Sequence, residues 1–185
     1  GINDILILIS VCLIAGFLIK IPGIFNLESA EIFYTRNAGI IVFFGLTLYL
    51  ALSNRVFDFK NHLYILVAFM LLTVYVNQLP AVTTSDSINL VCIHLPLLLW
   101  CIYGVVFIDF DLKNKIRRVD FIRYNGDLAI LMAIIVITGG ILTGITIGLF
   151  KAIGINIENF YMENVVIVGA VYVPIVATFI IKNYT

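Results

Sequence analysis

Charged residues are scarce in this 185-residue sequence, where Asp, Glu, Lys and Arg together make up only 12%. A soluble domain usually carries about a quarter of charged residues, so this chain has too few to cover a surface that faces water. The two signs also cancel, with 11 residues of each, which leaves no basic excess for nucleic acid. The composition therefore excludes a nucleic-acid-binding protein, and its high apolar content excludes a disordered chain.

Cysteine is also scarce, and the familiar catalytic motifs are absent. The three cysteines are too few for a small secreted domain held together by several disulfides. The sequence contains no nucleophile elbow, no zinc-binding HExxH helix and no phosphate-binding P-loop. No Asp or Glu lies in the middle of an apolar run, so acid-based proton relays have no candidate residues. We therefore predict no catalytic residue, no metal site and no cofactor.

Hydrophobic residues, by contrast, make up 62% of the chain and are grouped in long runs. A helix needs about 20 mostly apolar residues to cross a bilayer. The runs are continuous and do not alternate with polar residues, which excludes the strands of a membrane barrel. We predict one all-α domain, residues 1–185, that forms a polytopic transmembrane helix bundle with the lipid bilayer as its solvent. The six predicted spans are residues 5–21, 33–52, 63–79, 88–108, 128–150 and 165–181.

Lys and Arg fall unequally on the two predicted sides of the membrane, and short positively charged loops remain in the cytoplasm. Eight lie on one side and three on the other. We therefore expect a multi-pass protein of the inner (plasma) membrane, with both ends of the segment cytoplasmic. The eight are Arg55, Lys60, Lys113, Lys115, Arg117, Arg118, Arg123 and Lys182, and the three are Lys20, Arg36 and Lys151.

A basic segment joins the fourth and fifth predicted spans. Its apolar residues recur at helical spacing, which predicts a short amphipathic helix at the membrane interface. Tyr124 to Asp127 reads as a turn, with Gly126 free to take positive φ and Asp127 as the N-cap of the fifth span. The basic residues either bind anionic lipid headgroups or only set the topology. These residues are Lys113, Lys115, Arg117, Arg118 and Arg123.

Small residues form a stripe in the fifth predicted span. Gly140, Gly144 and Gly148 are spaced four apart, so they lie on one face of a helix. Such a stripe usually lets a second helix approach closely, and the alternative is a bendable helix that lines a substrate cavity. The packing partner would be another helix of the same longer chain or of an oligomer.

Polar residues near the outer ends of three predicted spans form a candidate pocket. They are Asn77, Asn89, His94 and Tyr172. An ionisable residue within a span is by default a functional candidate, so His94 either handles a ligand or proton or makes a structural hydrogen bond to another helix. Their convergence is a hypothesis based on depth in the membrane alone.

The sequence resembles an uncharacterised family of bacterial multi-pass membrane proteins, defined only as a domain of unknown function. The resemblance is carried by His94-Leu95-Pro96-Leu97, by the stretch from Phe121 to Asp127, and by the run from Thr138 to Phe150. It implies a bacterial inner-membrane protein with further spans, but no activity and no site residues. The start at Gly1, without an initiator Met, also leads us to expect a segment of a longer protein.

Three functions remain open at this point. The first is transport or binding of a small solute, or a membrane module that supports it, based on the polar pocket and the glycine stripe. The second is an assembly scaffold that uses helix packing and the basic cytoplasmic segment. The third and least favoured is a membrane-embedded enzyme that modifies lipids, for which the sequence offers only His94 and a few polar side chains as candidate catalytic groups.

Overall fold

The computed structural model describes residues 2–25, 30–53, 59–80 and 86–184, and these are helical almost throughout. Within these ranges it contains no β-strand, which confirms the predicted all-α bundle. The helices are α1 (Ile2–Ile24), α2 (Ala30–Ser53), α3 (Phe59–Asn77), α4 (Asp86–Phe107), α5 (Lys115–Ala152), α6 (Glu158–Tyr161) and α7 (Ile167–Tyr184). A π-helical segment, Met162–Val166, joins α6 to α7.

Five segments of the described chain are long and apolar enough to cross a membrane. They are Ile2–Ile24, Ala30–Ser53, Ile88–Phe107, Lys115–Ala152 and Glu158–Tyr184. The chain is therefore a membrane protein with several candidate spans. Helix α3, which covers most of the predicted third span, is not among the five.

Helix α2 lies at the centre of the bundle and packs against α1, α3, α4 and α7. Of its membrane window, 56% is buried inside the protein, compared with 6% for α5. Helix α5 packs mainly on α7 and leaves most of its length facing outward. The core consequently follows α2 and has little contribution from the second half of α5.

Two glycines allow α1, α2 and α7 to pack closely. A Cβ atom added to Gly16 of α1 would lie 2.2 Å from the hydroxyl oxygen of Tyr172 in α7. A Cβ atom added to Gly45 of α2 would lie 2.7 Å from Cδ1 of Ile175. Since Cβ atoms do not approach other atoms this closely, a larger residue at either position would force the end of the Tyr172 or Ile175 side chain to move. In lipid, where such close contact drives helix association, these glycines fix the spacing of the three helices.

The chain between α4 and α5 is ordered by backbone and side-chain hydrogen bonds. Asp109 and Phe110 take positive φ values of 51° and 60°, and Phe110 N–H donates to the carbonyl of Val105 at 3.0 Å, as at many helix C-termini. Asn114 then caps α5, because its side-chain oxygen accepts the Arg117 backbone N–H at 3.2 Å. The connection is short, so α4 and α5 lie side by side near this end.

The predicted interfacial amphipathic helix is not a separate element. Its residues form the first turns of α5, which continues without a break from Lys115 to Ala152. The predicted turn from Tyr124 to Asp127 and the N-cap at Asp127 are therefore wrong. The physical reason is that Tyr124 and Leu128 are buried against neighbouring helices, and this packing outweighs the turn preference of Asn125-Gly126.

Candidate functional site

A cavity of about 500 Å³ opens at the end of the bundle where α4, α5 and α7 meet. Three carboxylates and three cationic side chains line it, with an apolar wall on one side, and we call it the charged cavity. The charged residues are Asp109, Arg117, Asp120, Arg123, Asp127 and Lys182. Leu50, Phe107 and Ile181 form the apolar wall, and Tyr124 and Thr178 also line the cavity.

The charged cavity lies at the ends of three predicted spans. Asp109 follows the span that ends at residue 108, Asp127 precedes the span that begins at residue 128, and Lys182 follows the span that ends at residue 181. The 38 residues of α5 would extend about 57 Å, which is longer than the hydrocarbon core of about 30 Å. Helix α5 is therefore longer than one crossing requires, and its first turns, which precede the predicted fifth span, line the cavity.

An ion pair at the mouth of the cavity connects the two helices that frame it. The guanidinium of Arg117 in α5 bonds to the carboxylate of Asp109, and its Nη1 also donates to the carbonyl of Ile108 at 3.4 Å. Arg117 is thus already engaged by the protein.

A chain of three hydroxyl groups leads from the cavity into the core. Tyr103 donates to the hydroxyl oxygen of Tyr124 at 2.7 Å, and that oxygen lies 2.7 Å from Oγ1 of Thr178. Thr178 in turn bonds to the carbonyl of Pro174 at 2.8 Å. The chain links α4, α5 and α7 with all three polar side chains satisfied, which makes this wall of the cavity rigid.

Three further charged side chains of the cavity belong to successive turns of α5. Asp120, Arg123 and Asp127 are spaced three and four residues apart, so their Cβ atoms are separated by about 5–6 Å from one to the next. Asp120 and Arg123 are exposed and Asp127 is half-buried. None of the three forms a hydrogen bond or an ion pair with another described residue. They are the groups that the cavity can offer to a ligand.

The structure gives the four residues of the predicted outer pocket four different surroundings. Asn77 pairs with Asn37, Tyr172 packs over Gly16, and the His94 Nδ1 donates to the Leu90 carbonyl of its own helix at 2.8 Å. His94 and Asn89 are exposed on α4. The sequence predicts a similar depth in the membrane for these four residues. Their side chains nevertheless point in different directions around their helices, so they do not share one pocket.

Sequence reasoning missed the partners of Asn77. The side-chain amides of Asn37 and Asn77 bond to each other in both directions, at 2.7 and 3.1 Å. The buried Arg36 beside them donates to the carbonyl of Pro80 at 2.9 Å and to that of Asn77 at 3.5 Å, so it caps the end of α3. The signal in the sequence that could have indicated these partners is the polar stretch Thr35-Arg36-Asn37, which interrupts an otherwise apolar run.

The predicted glycine stripe lies on the outward face of α5. Cβ atoms added at Gly140, Gly144 and Gly148 would meet nothing within 4 Å. No described helix therefore packs on the stripe in the single chain. Of the predicted basic residues, Arg117 and Arg123 line the charged cavity, whereas Lys113, Lys115 and Arg118 are exposed elsewhere.

Across the described ranges, no three His, Cys, Asp or Glu side chains come close enough together to hold a metal ion. Comparison of the chain with protein-family models, with curated proteins and with solved structures finds no match in any of the three. The chemistry of the site must therefore be inferred from its own residues, and these show a membrane helix bundle with a charged cavity at one end.

Proposed function

We propose that this membrane domain binds a small polar solute in the charged cavity, either to transport it or to support a module that does. The observation that carries the proposal is the combination of a cavity of about 500 Å³ with unpartnered charged groups on α5. Pockets for small molecules are concave, partly apolar and furnished with a few polar groups that fix orientation. In the charged cavity, Leu50, Phe107 and Ile181 supply the apolar lining, and the charged residues supply the polar groups that would orient a solute.

The rigid setting of the cavity supports the same proposal. The ion pair between Asp109 and Arg117 fixes its mouth, and the hydroxyl chain through Tyr124 fixes one wall. The surroundings of the cavity are therefore ordered before a solute enters, and the side chains that lose conformational freedom on binding are chiefly Asp120, Arg123 and Asp127.

We expect solutes that enter the charged cavity to raise the thermal unfolding temperature of the detergent-solubilised protein. Arg123→Gln should lower the affinity for such a solute about tenfold, since a charge-assisted hydrogen bond contributes about 1.5–3 kcal/mol. Arg118→Gln removes the same charge from the same helix outside the cavity and should leave the affinity unchanged. A broad panel of polar solutes that produces no shift, or equal losses in both variants, would contradict the proposal.

A second function, assembly with other membrane helices, is favoured by the open glycine stripe. Gly140, Gly144 and Gly148 form a smooth surface on a helix that is only 6% buried within its membrane window. In lipid, small residues promote association because they let two backbones approach closely. A second copy of this chain or a helix of another chain would fit this surface.

We expect Gly144→Leu to reduce self-association without affecting the fold of the single chain. A side chain added at Gly144 meets open space and leucine favours a helix more than glycine does, so the free energy of unfolding should not fall. Gly139→Leu is the matched control, because Gly139 is equally open but lies about 140° around the helix from the centre of the stripe. Energy transfer between labelled copies in liposomes would measure association, and a wild-type protein that shows none would count against assembly through the stripe.

We further propose a location in a bacterial inner membrane, with the charged cavity on the cytoplasmic side. The support is the excess of Lys and Arg on the predicted side of the membrane that carries the cavity residues, with eight residues against three on the other side. The resemblance to an uncharacterised bacterial membrane family is consistent with this location.

A further inference from the structure

We propose that the ligand of the charged cavity is a zwitterion that carries an ammonium group and a phosphate group on a short linker. Phosphoethanolamine is the simplest molecule of this class. The inference rests on the proposed function, because it specifies the ligand of the same cavity.

The charge balance of the lining favours such a molecule. Three carboxylates and three cations surround the cavity, so their formal charges cancel. A ligand of a single sign is attracted by half of the lining and repelled by the other half. A zwitterion places each of its charges beside the opposite sign, and this electrostatic complementarity gives specificity as well as attraction.

The order of charges along α5 favours it further. Arg123 lies between two carboxylates, with Asp120 one turn before it and Asp127 one turn after it. Arg117 is engaged by Asp109, so Arg123 is the guanidinium that can receive a phosphate as a bidentate partner. Asp127 lies one turn after Arg123 on the same face of α5, so a guanidinium and a carboxylate border the same part of the cavity, as a short zwitterion requires.

This chemistry has two possible sources. The same ammonium and phosphate groups occur in the headgroup of phosphatidylethanolamine and in free phosphoethanolamine. The cavity lies at the ends of three predicted spans, and its apolar residues Leu50, Phe107 and Ile181 would contact the glycerol or acyl part of a lipid. The shared headgroup chemistry is the proposal, and the experiment separates the two sources.

Thermal unfolding of the purified protein in detergent, titrated with three probes, tests the pairing of charges. We expect phosphoethanolamine to bind at least tenfold more tightly than either ethanolamine or inorganic phosphate. If ethanolamine or phosphate binds as tightly as phosphoethanolamine, the zwitterion proposal is overturned but the solute-binding function stands. If none of the three probes and no other polar solute binds, both proposals fail.

Two variants test the residues. Asp127→Asn should lower the affinity for phosphoethanolamine about tenfold and leave the affinity for phosphate unchanged. Arg123→Gln should also lower the affinity for phosphoethanolamine about tenfold, but it should leave the affinity for ethanolamine unchanged. Asp111→Asn is the control, because its side-chain oxygen can still accept the Lys113 N–H and it lies outside the cavity. Loss of affinity that is equal for every probe in both variants would overturn the assignment.

Competition between lipids and free phosphoethanolamine shows whether the ligand is a lipid headgroup or the free molecule. Phosphatidylethanolamine in mixed micelles should displace free phosphoethanolamine if the headgroup is the ligand, whereas phosphatidylcholine, whose quaternary ammonium cannot donate to Asp127, should displace at least tenfold less. Displacement by both lipids to the same extent would show that the carboxylates do not select the ammonium and would overturn the proposal.

Discussion

Replacing Tyr124 with alanine is expected to lower the free energy of unfolding by about 3–5 kcal/mol, the usual cost of removing a buried aromatic ring. Tyr124 is only 7% exposed and packs against Phe107, Tyr103 and Phe121, with ring centroids 4.8 to 6.5 Å away. Its removal also breaks both bonds of the hydroxyl chain. Unfolding of the variant in a denaturing detergent titration would measure the loss.

Tyr124→Phe separates the ring from the hydroxyl. It keeps the aromatic packing but leaves the Tyr103 hydroxyl without its acceptor, so the expected loss is about 1–3 kcal/mol. Thr178 still bonds to Pro174 and should remain in place. Equal losses for the two variants would show that the ring contributes nothing beyond its hydroxyl.

Replacing Gly16 with leucine should lower the free energy of unfolding by about 3 kcal/mol, at the upper end of the range for overpacking. The new Cβ alone would lie 2.2 Å from the Tyr172 hydroxyl and 3.0 Å from its Cζ. Either the Tyr172 ring would have to move aside or α1 and α7 would have to separate, and both changes disturb the adjoining cluster of Val11, Ala15, Ile19, Val171 and Ile175. Denaturing detergent titration again provides the measurement.

A second substitution shows whether Tyr172 is the cause. Tyr172→Ala vacates the space above Gly16, so the double variant Gly16→Leu with Tyr172→Ala should be more stable than Gly16→Leu alone. The interaction free energy between the two sites should be about 1 kcal/mol or more, in the range for residues in contact. Additive losses would mean that the clash involves a different neighbour.

The positions of the helices could be predicted from the sequence because hydropathy is a local property. The predicted runs coincide with α1, α2, α4, α5 and α7 to within a few residues, apart from the first turns of α5. Those turns were misread because Asn125-Gly126 is a local turn signal, whereas the burial of Tyr124 and Leu128 depends on α4 and α7. At this position tertiary packing outweighs the local preference of Asn125-Gly126 for a turn.

The candidate site was harder to predict for a geometrical reason. Hydropathy indicates how deep a residue lies in the membrane but not which way it points around its helix. Asn77 and His94 were placed at similar depth, yet Asn77 faces Asn37 of α2 while His94 is exposed on α4. The charged cavity was missed because its residues belong to the ends of three different spans, and only the fold brings them together.

The unbroken helix α5 has a mechanical consequence. Lys115 and Ala152 belong to one rod of about 57 Å, and the buried contacts of this rod are concentrated near Tyr124 and Leu128. A ligand that drew Asp120 toward another helix would tilt the rod about these contacts, since Asp120 lies one turn before Tyr124 on a helix that continues unbroken to Ala152. A tilt of only about 5° would move the opposite end by several ångströms and reorient the glycine stripe in the bilayer. The charged cavity and the glycine stripe are in this way coupled through one continuous helix.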